Sequence, residues 1–241
     1  MTRPPGLLRR LARPLRSVAL VRASRIGDFL CATPAFRALR AALPGAEITL
    51  MALPMVRELA ARSPHLDRFE PFPGFPGMAE QFFDARRATE FFGRMQTEHF
   101  DLAIQMHGSG VCANPFTLLL GARTTAGFIR PGDVPGRLDA ALPLPTAGHE
   151  IERLLALTTF LGAPPCGTQM EFPLWPGDRA RADALLAYTK RPLIGLQPGA
   201  RLGSKRWPPG RFVDVGRALH DACGGTLVLL GGPDEHAAAD A

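Results

Sequence analysis

The chain has 241 residues, 46% hydrophobic and 21% charged, with a formal net charge of +6. At about 150 residues per domain this length is roughly 1.6 domains, and the composition is that of a folded globular chain rather than a disordered one. No apolar run reaches the ~18 residues of a membrane-spanning helix. Cys31, Cys112, Cys166 and Cys223 are too scattered for a C-x-x-C pair, which argues against a disulfide-rich scaffold or zinc module and suits a reducing compartment.

Arg3, Arg9, Arg10, Arg13 and Arg16 all precede the first acidic residue, Asp28. Residues 1–16 therefore read as a basic arm, either a frayed, solvated tail or a segment drawn to an anionic surface such as a membrane. Arg and Pro interrupt its leucines, so it lacks the apolar core of a secretory signal. One Tyr, two Trp and no basic–aromatic interleaving give no support to nucleic-acid binding.

Ser17–Val21 is a short apolar, β-branched run that predicts a buried strand. Ala32, Phe36, Leu39 and Leu43 recur at helical spacing, predicting a helix over about 28–43 that stops at Pro44-Gly45. Pro34 either kinks that helix or occupies its first position behind a Thr33 cap. Glu47–Met51 predicts a second strand and Met55–Arg62 a second helix. Residues 72–80 read as an irregular excursion. Phe100–Gln105 predicts a strand ending in the loop His107–Gly110, followed by a helix over 114–120. Residues 130–148, with four prolines, read as irregular, and Glu150–Leu161 as a helix. Alternating strands and helices predict an α/β domain with a mostly parallel sheet, whose ligands bind at the carboxyl ends of strands. Loops 22–28 and 106–113 stand out on that ground.

The pattern breaks near residues 162–167 and restarts: a helix over 178–188, a strand over 193–197, a helix over 211–222 and a strand over 226–230. The expected organisation is the arm 1–16, a first domain 17–165 and a second domain 166–241. Two confident strands are too few to cover a sheet, so the second domain reads as incomplete.

Arg25-Ile26-Gly27-Asp28 sits where the first strand gives way to the first helix. Gly27 permits close backbone approach or positive φ. Asp28 is placed to be a helix cap or a carboxylate facing a ligand cleft. The glycine spacing of a dinucleotide fingerprint is absent, and so is a P-loop. Residues 197–208, QPGARLGSKRWP, leave a strand, carry Arg201, Lys205 and Arg206, and precede a helix. They read equally as a solvated basic loop or a phosphate site. His107 ends a strand in a glycine loop. No Ser-His-Asp order or H-x-x-x-H spacing is interpretable.

In this order the stretches VALVRASRIGDFLCATPAFRALRAALPGAEITLM (18–51), FDLAIQMHGSG (100–110), RTTAGF (123–128), HEIERLLALTTFLG (149–162), LIGLQPGARLGSKRWPPGRF (193–212) and TLVLLGGPDE (226–235) resemble glycosyltransferase family 9, the ADP-heptose:lipopolysaccharide heptosyltransferases. The resemblance implies a GT-B architecture of two Rossmann-like domains, the first receiving a lipid-linked oligosaccharide acceptor and the second an ADP-sugar. It implies inverting, metal-independent transfer of a heptose-type sugar to a lipopolysaccharide core, with no cofactor beyond the donor. The family's catalytic aspartate falls on Asp28 as the base. Lys205, with Arg201, Gly199 and Arg206, falls on the donor side, and Gly27, Arg25 and His107 are acceptor-side candidates. A cytoplasmic enzyme with peripheral contact to the inner membrane is implied too. Two departures matter. Gly110 and Val111 stand where many relatives carry a basic residue and a serine. The family's D-[ST]-G-x-x-H diphosphate segment has no counterpart in 236–241, so the alternative is a truncated, non-catalytic binding protein of the same descent.

Overall fold

The computed structural model describes residues 6–11, 13–78, 81–134, 136–200 and 203–232. The chain falls into two compact units, Met1–Pro173 and Leu174–Ala241. The first contains α1 (Leu7–Arg10), β1 (Ser17–Val21), α2 (Ile26–Ala42), β2 (Glu47–Ala52), a 3-10 turn at Pro54–Val56 running into α3 (Arg57–Arg62), β3 (Arg68–Pro71), α4 (Ala85–Thr97), β4 (Leu102–Gln105), α5 (Ala113–Leu119), β5 (Thr124–Ile129), β6 (Ala140–Pro143) and α6 (Glu150–Leu161). Its strands form one sheet in the order β3-β2-β1-β4-β5-β6, and every pairing is parallel.

Strand β1 lies at the centre and pairs with both β2 and β4. Its side chains alternate between two cores, as the period of two requires. Val18 and Leu20 join Phe29, Phe36, Leu39, Leu154 and Leu157 from α2 and α6. Ala19 and Val21 join Phe91, Met95 and Phe116 from α4 and α5. Both faces are covered, which is why the central strands read as continuous apolar runs. Asp67, Asp101 and Asp139 stand just before β3, β4 and β6. Each accepts a backbone N–H from the entry of the neighbouring strand: Ile48 at 2.7 Å, Arg16 at 2.8 Å and Thr125 at 2.7 Å. These carboxylates set the register at the amino ends of the sheet.

Pro34 lies inside α2, not at its first position. Proline cannot supply the N–H that would bond the Leu30 carbonyl, and the Thr33 hydroxyl donates to that oxygen instead at 2.7 Å. The same hydroxyl accepts the Glu171 backbone N–H at 2.9 Å. Segment 166–171, expected in the second domain, is tied to the first unit here. Arg37 donates to the carbonyls of Cys166 and Gln169 and pairs with the Glu171 carboxylate, which also binds His65 Nε2 at 2.8 Å. The unit boundary therefore falls after Pro173 rather than after 165.

Several elements differ from the sequence reading. Strand β6 lies within 130–148, where the prolines read as irregular. As the edge strand it pairs only with β5 and tolerates Pro143 at its end. Strand β3 and helix α4 were not predicted. Yet α4 carries a signal, with Asp84 accepting the Arg87 N–H as its cap and Ala88, Phe91 and Met95 buried on one face. The arm is not a frayed tail over its described part. Leu7 is buried and Leu8, Leu11 and Leu15 pack on the first core, while Arg9, Arg10, Arg13 and Arg16 stay exposed.

The second unit contains α7 (Pro176–Leu185), β7 (Leu193–Leu196), a 3-10 turn at Gly203–Lys205, α8 (Pro209–Cys223) and β8 (Thr226–Leu229). Strands β7 and β8 pair in parallel as a two-stranded sheet. Gly216 is buried, with Leu196 and Leu227 closing over it.

Candidate functional site

Order 3-2-1-4-5-6 reverses direction between β1 and β4, and in open parallel sheets the crevice outside that switch point receives ligands. Two loops flank it here. One follows β1 and starts α2; the other follows β4 and starts α5. Arg25, Gly27 and Asp28 belong to the first and His107 to the second, so the sequence-predicted residues of this unit meet at one crevice.

Asp28 is exposed in the first turn of α2. It is not the cap: Arg25 holds the cap position, with no side-chain hydrogen bond to the turn. Among the described residues the Asp28 carboxylate takes no hydrogen bond or ion pair. Gly27 does not adopt positive φ, and open space surrounds the position of a Cβ there, so the glycine leaves the surface beside Asp28 unobstructed.

Beneath Asp28 lies Arg22, buried at 3% exposure. Nη1 donates to the Met106 carbonyl at 2.6 Å and Nη2 to the Asp28 carbonyl at 3.3 Å. Nη2 also pairs with Glu150 Oε1 at 2.9 Å. Glu150 opens α6, whose start is fixed by a reciprocal cap: His149 Nδ1 accepts the Ile151 N–H, and Glu152 accepts the His149 N–H. One turn after Asp28, burial pushes the Cys31 thiol pKa up. The charges of Asp28 and Glu150 raise it further and Arg22 offsets part of this, so both carboxylates act on one spot.

Across the crevice Gln105 is fully buried. Its Oε1 accepts the Phe128 N–H at 2.8 Å and its Nε2 donates to the His107 carbonyl, so the side chain holds the start of the loop. Gly110 has φ +82° and leaves no room for a Cβ beside the Phe128 carbonyl. Asn114 donates to that same carbonyl at 3.0 Å. Next to this loop a cavity of about 280 Å³ is lined by Gly110, Val111, Asn114, Arg130, Val134 and Arg137, among others. Arg22, Glu150, Gln105 and this cavity were missed from sequence. A lone arginine closing an apolar run, and an acid at the first position of a helix, were the available signals.

In the second unit the basic loop runs from the carboxyl end of β7 to the start of α8. Gly199, Lys205 and Arg206 lie in it; Arg201 lies outside the described residues. Arg206 donates from Nε to the Ala200 carbonyl at 2.6 Å, which closes the loop on itself. Trp207 packs edge-on against Phe212 and lies under Arg211. Lys205 is exposed. Among the described residues no group of three or more His, Cys, Asp or Glu side chains could hold a metal, and no helix is long and apolar enough to cross a membrane.

Residues 88–241 match the model of glycosyltransferase family 9 (heptosyltransferase). That is well over half of the sequence, and the chain belongs to this family. Lipopolysaccharide heptosyltransferase 2 of Escherichia coli strain K12 is 28% identical over 235 residues, covering 92% of this chain and 65% of that protein. Its Salmonella typhimurium counterpart is 29% identical over 236 residues, with the same coverage. The chain thus spans about 65% of the length of these relatives. Among solved structures, a family 9 glycosyl transferase from Veillonella parvula superposes with a TM-score of 0.75 at 19% identity, covering 95% of this chain and 67% of that one. E. coli ADP-heptose LPS heptosyltransferase II gives 0.69 at 21%, covering 93% and 67%. At such identities the likeness is one of fold, and it agrees with the α/β, GT-B-like class implied by the sequence resemblance.

Proposed function

We propose that the chain carries the acceptor side, and part of the donor side, of an inverting transferase that moves a heptose-type sugar from an ADP-sugar to a lipopolysaccharide core acceptor. The observation that carries this reading is Asp28, an exposed carboxylate without a hydrogen bond or ion pair among the described residues, at the switch-point crevice of a family 9 chain. In this mechanism Asp28 accepts the proton of an acceptor hydroxyl as its oxygen attacks the anomeric carbon. The bond from that carbon to the diphosphate oxygen breaks, and ADP leaves with the electron pair. The uncovered surface at Gly27 admits the acceptor, with Arg25 and His107 on its flanks. Lys205 and Arg206 supply positive charge for the departing diphosphate. That complement needs no metal or cofactor, so EDTA leaves the rate unchanged. The same reading puts the enzyme in the cytoplasm, in peripheral contact with the inner membrane that holds its lipid-linked acceptor. The relatives named above supply the sugar and acceptor class.

The test is Asp28→Asn, assayed for heptose transfer and, separately, for ADP binding by calorimetry. Transfer is lost while ADP affinity stays within about twofold, because the variant removes the base and leaves the donor loop untouched. Unchanged turnover would remove Asp28 from the chemistry.

A further inference from the structure

Arg22 is the one charged residue among the described buried residues. Burying a guanidinium is costly, and a buried ion pair is usually no more stabilising than apolar packing of the same volume. Its place in the fold therefore calls for a reason other than stability. Its partners supply one. They are the Met106 carbonyl just after β4, the Asp28 carbonyl in the first turn of α2, and the Glu150 carboxylate at the start of α6. Two of the three are backbone groups of the two loops that flank the crevice. Only a planar fork with several donors reaches all of them at once; a lysine ammonium cannot.

The Asp28 side chain inherits its place from this arrangement. With no partner of its own among the described residues, its carboxylate is located by the backbone of the first turn and two side-chain torsions alone. The N-terminal end of a helix is also where the backbone is held least by its own hydrogen bonds. Phe29 N to Arg25 O, at 2.8 Å, is the first helical bond there.

We propose that Arg22 is the positioning residue of this site: its guanidinium clamps the first turn of α2 to the loop after β4, and Glu150 fixes the orientation of the clamp. The inference rests on the reading of Asp28 as the acting carboxylate. A displacement of about 1 Å at a reacting group costs on the order of a hundredfold in rate, so the clamp acts on turnover rather than on donor affinity.

The first arm of the test is amide hydrogen exchange on the 241-residue chain. Arg22→Gln speeds exchange at Phe29 and Leu30 by at least about tenfold, while the amides of α4 keep their rates. Arg22→Lys restores part of the protection, because one carbonyl can still be reached. Unchanged exchange at Phe29, or an equal acceleration in α4, overturns the clamp. Glu150→Gln keeps Arg22 in place and frees its orientation; it loosens the same two amides if Arg22→Gln fails to fold. The second arm is transfer by the longest native polypeptide that carries this sequence. Arg22→Gln lowers kcat about a hundredfold with donor KM within about threefold, and Arg22→Lys lies between. A wild-type kcat, or a loss expressed only in KM, overturns the inference. Asp28→Asn is assayed beside them. If it keeps its turnover, the reading of Asp28 falls and takes the catalytic meaning of the clamp with it, whereas the exchange data report on the clamp itself.

Discussion

Replacing Gly110 by alanine separates two reasons for a glycine in the loop after β4. At φ +82° an alanine is in the left-handed region, which costs about 1–2 kcal/mol. Its Cβ would also stand 2.2 Å from the Phe128 carbonyl oxygen and 2.4 Å from Asn114 Nδ2. The asparagine can swing away, but Phe128 is part of β5 and cannot move without straining the sheet, an overpacking cost of about 1–3 kcal/mol. Gly110→Ala therefore destabilises the first unit by about 2–5 kcal/mol. Gly108 provides the control in the same loop: φ is +58° and nothing lies near its Cβ position, so Gly108→Ala costs only about 1–2 kcal/mol. Urea unfolding followed by far-ultraviolet circular dichroism measures both, and with a slope of about 1–3 kcal/mol/M the difference is readable in the midpoint. Equal destabilisation by the two variants would show that backbone conformation, not the approach of β5, requires the glycine. A loss below about 1 kcal/mol at Gly110 would refute both terms.

Two further outcomes concern the clasp that ties segment 166–171 to the first unit. Thr33→Val leaves the Leu30 carbonyl and the Glu171 N–H without their partner, at a cost of about 1–3 kcal/mol in the same unfolding assay, with faster exchange of the Glu171 amide; an unaffected amide would remove the link. Burial pushes the Glu171 carboxyl pKa up, but hydrogen bonds from Arg37 and His65 more than offset this and hold it below its ordinary 4.5. Its contribution is thus complete above the ordinary value and is lost as pH falls through the lower folded value. Between pH 5 and 3, wild type should lose more stability than Glu171→Gln, and parallel acid profiles would show that the pair carries no linkage.

Strands β1, β2 and β4 and helices α2 and α6 were legible because apolar periodicity and turn residues agreed, as in Ser17–Val21 ending before Arg25-Ile26-Gly27-Asp28. Strand β3 was not, because Arg68, Glu70 and Pro71 are edge residues that pack on one neighbour and show no apolar run. The site divides the same way. Asp28 was visible as a carboxylate at a strand-to-helix junction, and the family resemblance gave it a role. Arg22 and Glu150 lie 128 positions apart in sequence and meet only because α6 returns along α2 with its start at the crevice. Sequence spacing carries no trace of a contact made by topology. The cavity beside Gly110 was hidden for a related reason, since it needs the loop before β6, which read as irregular.

The second unit is the less consolidated of the two. In the second unit Gly216 is buried, but Leu227, Leu229 and Leu230 on and after β8 stay exposed, and an isolated pair of strands is marginal in water. What orders the basic loop is local: the bond from Arg206 to the Ala200 carbonyl and the packing of Trp207 between Phe212 and Arg211. A ligand that binds only the folded form stabilises it in proportion to ln(1 + [L]/Kd), about 2.7 kcal/mol at a hundredfold excess over Kd. If the loop holds the diphosphate, ADP raises the melting of the second unit and leaves the first unit unmoved. The fluorescence of Trp175 and Trp207, both within the second unit, follows that transition. Lys205→Ala should then reduce the shift, because it removes an exposed ammonium from the loop. A shift confined to the first unit would place the nucleotide at the Asp28 crevice instead and reverse the assignment of donor and acceptor sides. A shift unchanged by Lys205→Ala would leave the loop as the site but remove the lysine from it.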